Sequence, residues 1–176
     1  MGTFARFKDN PFARVAVLFL FLLAIGLLTR APAHALSQFY GLHGVLSAPL
    51  FAALATWHLD CRGRLWQLLA AVGIIAALLG MMNLVMGVSF FLLALGLMLV
   101  YGLTASMRES SRWAACGAAF GALSYPCTVI SGVLLGSYAF LPSMAGEIVL
   151  LSALSLALGA LGSLAAGFLE KRARLK

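Results

Sequence analysis

The sequence predicts an all-α integral membrane protein, a six-transmembrane-helix bundle with both termini on the inner side. Three observations carry that expectation. First, the chain has 176 residues, of which 63% are hydrophobic and 10% charged, against about 25% charged in ordinary soluble domains; its mean hydropathy is +1.04. Second, the apolar residues fall into runs long enough to cross a hydrocarbon layer, which takes about 20 residues as helix. Third, the charged residues gather in short clusters between those runs. The net charge of +7 therefore reads as the positive-inside bias of membrane loops and not as a nucleic-acid footprint. One domain, residues 1–176, accommodates everything.

Taken in order, residues 1–14 are a basic tail, and Asn10-Pro11 is placed to cap and start a helix. The first span is expected over 12–29. A basic leader, an apolar core and Ala33-His34-Ala35 also resemble a signal peptide with its cleavage site. Arg30 between core and site, and the length of the leader, favour a retained helix. The second span is expected over 36–57 and ends in the charged turn HLDCRGR. The third, 65–81, opens on Trp66, a residue type favoured at the membrane interface. After a minimal turn at Met82-Asn83 the fourth runs over 84–104 and ends at ASMRESSR. The fifth, 113–135, again starts with Trp and contains Pro126, which removes one helical hydrogen bond and frees the carbonyl near Ala122. A longer loop, GSYAFLPSMAGE, leads to the sixth span, 148–168, and a basic tail.

With six spans, Arg6, Lys8, Arg14, Arg62, Arg64, Arg108, Arg112, Lys171, Arg172, Arg174 and Lys176 share one side and Arg30 alone lies on the other. That asymmetry predicts the N-in, C-in topology. Small residues form narrow seams: Ser152, Ser155, Gly159, Gly162, Ser163 and Ala166 in the sixth span, Gly117–Gly121 in the fifth, Gly73–Ala77 and Ala76–Gly80 in the third. Such seams let helices approach closely. They serve internal packing and docking of another membrane subunit equally well.

The few polar groups stand out at the outer end: Arg30, His34, Gln38, Tyr40, His43, Asn83, Tyr138 and Glu147, with Ser47 one turn further along the second span and Tyr125 near the middle of the fifth. At about 100° per residue, Tyr40, His43 and Ser47 share one helical face. Polar side chains are costly against lipid, so that face is expected to look into protein or a cavity. Gln38, Tyr40, His43, Ser47, Asn83, Tyr125, Tyr138 and Glu147 are the candidate ligand-binding residues. Each has a plain structural reading beside this one: His43 as a helix–helix hydrogen bond, Glu147 as a favourable charge in a first helical turn, Tyr138 and Phe140 as an interfacial anchor instead of an aromatic lid. Cys61, Cys116 and Cys127 form no C-x-x-C pair, which argues against a disulfide framework or metal cluster. Neither a catalytic motif nor a cofactor motif is present, and no span carries an acid or base at its centre to couple transport to an ion.

The stretch from His43 through Leu103, HGVLSAPLFAAL, a short basic turn, WQLLAAVGIIAALLGMM and GVSFFLLALGLMLVYGL, resembles in layout the substrate-binding (S) components of energy-coupling factor (ECF) transporters, the Trep_Strep/MptD-like group. The resemblance covers most of the chain by topology. It implies a non-enzymatic membrane subunit of a bacterial plasma-membrane ABC importer that captures a vitamin-like molecule or other micronutrient at its outer face. Its partners would be a transmembrane scaffold (T) subunit and two cytosolic ATPases. The alternatives are a structural or assembly membrane protein (MreD-like) without a ligand, and a small intramembrane enzyme using His43.

Overall fold

The computed structural model describes residues 10–35, 40–61, 63–138 and 144–174. They form seven helices: α1 (Pro11–Ala35), α2 (Leu42–Asp60), α3 (Leu65–Met82), α4 (Leu84–Leu103), α5 (Glu109–Ala122), α6 (Ser124–Leu134) and α7 (Ala145–Arg174). No strand occurs among the described residues. Five helices, α1, α2, α3, α4 and α7, are long and apolar enough to cross a membrane, and α5 with α6 make a sixth span if the pair, bent by 43°, is one crossing. The chain is thus a multi-pass helical membrane protein.

The helix boundaries differ from the sequence reading in three places. Asn10 does cap α1, its Oδ1 accepting from Phe12 N at 3.0 Å, with Pro11 at the first helical position. But α1 runs on through Pro32 to Ala35, so Ala33-His34-Ala35 is the helix end. The second helix starts at Leu42 and not near 36, because Gly41 enters it at φ 73°, the left-handed region that glycine occupies without penalty. The fifth span is broken at Leu123, between α5 and α6. Pro126 accounts for the break: it cannot donate to the carbonyl of Ala122, and Ser155 of α7 takes that role, its Oγ donating to Ala122 O at 3.1 Å.

The interior belongs to α2. Of its membrane window 61% is buried, against 22–28% for the other four single-helix spans, so those four spend most of their surface on lipid and α2 on protein. A residue pattern of small side chains makes this possible. Ala48, Ala52 and Ala55 on α2 are fully buried. Gly117 of α5 lies on Thr56 and the Ala52 carbonyl, and Gly121 lies on Ala48, Ala52 and Gly159 of α7. Gly162 of α7 lies directly on the Pro49 carbonyl. Lipid tails give no hydrophobic drive for helices to associate, so contact area from close backbone approach is what holds them. The hydroxyls follow the same seam: Thr56 Oγ1 donates to Ser163 Oγ at 2.9 Å, and Ser163 Oγ donates to Ala114 O at 2.8 Å, tying α2, α7 and α5 together. The seams of the fifth and sixth spans are therefore internal. In α3, Ala76 and Gly80 pack on Gly87 of α4, whereas Gly73 meets nothing within 4 Å.

Around this junction, α1 contributes Val15, Leu18 and Leu22 and α3 contributes Leu68, Ala71, Val72 and Ile75 to one apolar cluster with Phe51, Leu97 and Phe120. These are one-face spacings of a helix. Replacing Ser155 by Ala is expected to destabilise the bundle by about 1 kcal/mol, because the Ala122 carbonyl then has no donor in an apolar surround. Reversible unfolding in mild detergent reads that change.

Candidate functional site

Tyr40, Tyr125 and Tyr138, far apart in sequence, meet at the end of the bundle away from the HLDCRGR and ASMRESSR turns. Local chemistry brings each there. α6 ends in a Schellman turn: Gly136 takes φ 66°, Gly136 N donates to Val133 O, and Ser137 N donates to Gly132 O. That turn sends Tyr138 back over the helix end. Its ring stacks on Tyr40 with centroids 4.3 Å apart and planes 13° from parallel, and its hydroxyl reaches Met144 Sδ at 3.3 Å, next to the start of α7. Gly132 leaves the slot into which the Tyr40 hydroxyl fits; a side chain there would overlap it. Beneath the stack, Tyr125 is 1% exposed and packs with Val45, Val129 and Leu151.

Glu147, half-buried in the first turn of α7, lies within electrostatic reach of Tyr125, as does Tyr138. Tyr40 sits just before α2. Burial, and secondarily the neighbouring Tyr138, push its phenol above the ordinary tyrosine range. It is therefore a neutral hydrogen-bonding group at physiological pH.

The other candidates are placed differently. His43 is half-buried in the first turn of α2. Ser47 is buried and its Oγ donates to Gly44 O of its own helix at 3.2 Å. Asn83 is exposed and caps α4, its Oδ1 accepting from Val85 N at 3.0 Å and Met86 N at 3.4 Å. Gln38, Phe140 and the side chains of Arg30 and His34 lie outside the described residues. The structure thus gathers Tyr40, Tyr125, Tyr138 and Glu147, and gives Ser47 and Asn83 work within their own helices.

A buried hydroxyl network beside the tyrosines has no counterpart in the sequence reading. Ser89 and Thr128 are 3.0 Å apart across α4 and α6. Thr128 Oγ1 donates to Ser124 O at 2.8 Å, Ser131 Oγ donates to Thr128 O at 2.9 Å, and Thr128 packs under Gly41. The signal was present: Ser124, Thr128 and Ser131 recur at four and three residues, on one helical face.

Cys61, Cys116 and Cys127 are free thiols, the last two buried. Among the described residues, no three His, Cys, Asp or Glu side chains come together as a metal site. A cavity of about 500 Å³ opens at the opposite, basic end of the bundle, lined by residues of the α2–α3 turn, α3, α4 and α5. Comparison with protein-family models, with curated proteins and with solved structures gives no match for this chain.

Proposed function

We propose that the chain is the membrane-embedded substrate-binding subunit of a multi-component importer, an S component of the energy-coupling factor type. In this reading it crosses a bacterial plasma membrane six times with both termini inside. It takes a small, neutral or mildly polar molecule with an aromatic or apolar body at the tyrosine end. A membrane scaffold subunit and two cytosolic ATPases supply the work. The observation that carries the reading is the Tyr40–Tyr138 stack above a buried Tyr125. A tyrosine face covered by a residue on the rim of a loop is a replaceable contact: Tyr138 swings off and a planar ligand takes its place on Tyr40. Loops at a rigid scaffold's mouth commonly do this. Phenol hydroxyls and one acidic side chain suit hydrogen bonds to a polar tip on an otherwise apolar ligand.

The test is a thermal-shift screen of the purified chain against vitamin-like micronutrients, with copurification of scaffold and ATPase subunits as a second readout. Tyr40→Ala and His43→Leu are expected to weaken uptake without lowering expression. Tyr138→Ala removes the ring the ligand must displace, a stack worth about 1 kcal/mol, so about fivefold tighter ligand binding is expected. Unchanged uptake in all three variants removes the tyrosine end as the site. A second reading, a ligand-free assembly protein, draws on the same stack, because Tyr138 already fills the space above Tyr40. It predicts stable membrane partners and no thermal shift with any small molecule.

A further inference from the structure

The cavity at the basic end has a chemistry of its own. Its lining is Leu59, Gly63, Arg64, Leu65, Trp66, Tyr101, Glu109 and Trp113. All of these lie at or next to the ends of α2, α3, α4 and α5, which is the level where a bilayer's hydrocarbon gives way to headgroups. Trp66 and Trp113 open α3 and the apolar part of α5, positions at which indoles favour that level.

The walls are fixed. Gly63 tucks under His58, where any side chain would overlap the His58 carbonyl and ring, and Gly63 N donates to His58 O at 2.9 Å. Gln67 Oε1 accepts from Arg64 N at 2.9 Å. The turn is thus pinned with the Arg64 side chain outward and exposed. Across from it, Arg112 donates through Nη2 to Tyr101 O at 2.9 Å and lies 3.5 Å over the Tyr101 ring. Tyr101 stacks on Trp113, with centroids 5.8 Å apart and planes 17° from parallel. Glu109, exposed at the start of α5, supplies the opposite charge. Among the described residues, Arg64 and Glu109 line the cavity without an ion pair between them.

We propose that this cavity holds the headgroup of a phospholipid that carries both a phosphate and a primary ammonium. The Arg64 guanidinium takes the phosphate, for which its planar fork is suited. The ammonium lies beside the indoles of Trp66 and Trp113, since Arg112 already covers the Tyr101 ring, and it donates to Glu109, the combination that recognises a cation. The acyl chains run along the exposed apolar faces of α3 and α4, where Ile74, Leu78, Leu95 and Leu99 are open. The volume, about 500 Å³, falls in the usual range for small-ligand sites.

The test uses the full chain in detergent, in a Trp57→Phe background so that Trp66 and Trp113 report. Short-chain phosphatidylethanolamine, phosphatidylcholine and phosphatidylglycerol are titrated separately, with free phosphoethanolamine as a fourth arm. The ethanolamine lipid is expected to saturate the fluorescence change at about tenfold lower concentration than the other two lipids, the worth of one charge-assisted hydrogen bond. Glu109→Gln is expected to erase that preference, and Arg64→Gln to remove binding of all three. Arg64→Lys, which keeps the charge without the fork, is expected to bind with intermediate strength. Equal response to the three lipids, or a preference that survives Glu109→Gln, overturns the proposal. Saturation by free phosphoethanolamine as tight as by its lipid overturns the lipid as the occupant and leaves a soluble phosphoamine in its place.

Discussion

Gly121→Val is expected to destabilise the bundle by about 3 kcal/mol or more, and Gly159→Val by a similar amount. At Gly121 even the first added carbon runs into the Ala48 carbonyl, lies 2.8 Å from Ala52 Cβ and 3.0 Å from Gly159 Cα. At Gly159 it lies 2.7 Å from Ala122 N and 2.8 Å from Ala118 O. All but the Ala52 Cβ are backbone atoms, and none of them can rotate aside as a long side chain does. Overpacking a rigid interior costs about 1–3 kcal/mol and more where helices must separate. The separation would also break the Thr56–Ser163 and Ser163–Ala114 hydrogen bonds along the same seam. Gly73→Val and Gly167→Val are the controls. Nothing lies within 4 Å of either position, so changes within about 0.5 kcal/mol are expected there. The measurement is thermal unfolding in detergent, with size-exclusion profiles at each temperature. A Gly121→Val protein that melts with the controls would mean that α2, α5 and α7 are not joined backbone to backbone. Because the two glycines face each other, Gly121→Ala combined with Gly159→Ala should cost more than the sum of the single changes.

Tyr125→Ala is the second large effect, a loss of about 3–4 kcal/mol. The side chain is among the largest that are fully buried. It packs with Val45 of α2, Val129 of its own helix and Leu151 of α7, and it supports the Tyr40–Tyr138 pair from below. Removing it leaves a void at the join of three helices. Tyr125→Phe keeps the packing and should cost no more than about 1 kcal/mol. The two substitutions also separate roles. If Tyr125 is a floor for a ligand and not a contact to it, Tyr125→Phe leaves ligand affinity unchanged while Tyr125→Ala lowers both affinity and melting temperature.

Much of this was legible in the residues, and what was not has physical reasons. Apolar runs declare spans, Asn10-Pro11 declares a helix start, and Pro126 declares an unsatisfied carbonyl at Ala122. Each is a local rule, and each holds in the structure. The identity of the donor, Ser155, was not legible, because it comes from another helix. The direction of the glycine seams was hidden for a different reason: a smooth surface has the same composition whether it meets its own chain or another. The first span is expected to end at 29, yet α1 passes through Pro32 to Ala35, since a proline near a helix end forfeits a single hydrogen bond. The Tyr40/His43/Ser47 face assumed one continuous helix. Gly41 breaks that assumption, so Tyr40 takes its direction from a turn. Its stacking on Tyr138 depends on a Schellman turn ending a helix almost a hundred residues away, which no periodicity encodes.

The link between α3 and α4 is a single residue, Asn83, flanked by Met81, Met82 and Leu84, which are 87%, 83% and 61% exposed. That bears on how the chain is made. Two spans joined this closely are expected to enter the bilayer together, as a hairpin. The tip is nearly ideal cargo for such a step, since its one amide already satisfies two backbone N–H groups of α4 and no charge has to be carried across. Biosynthesis of this region should therefore ask nothing of the membrane potential, since the chain from Leu65 to Leu103 carries no Asp, Glu, Lys or Arg.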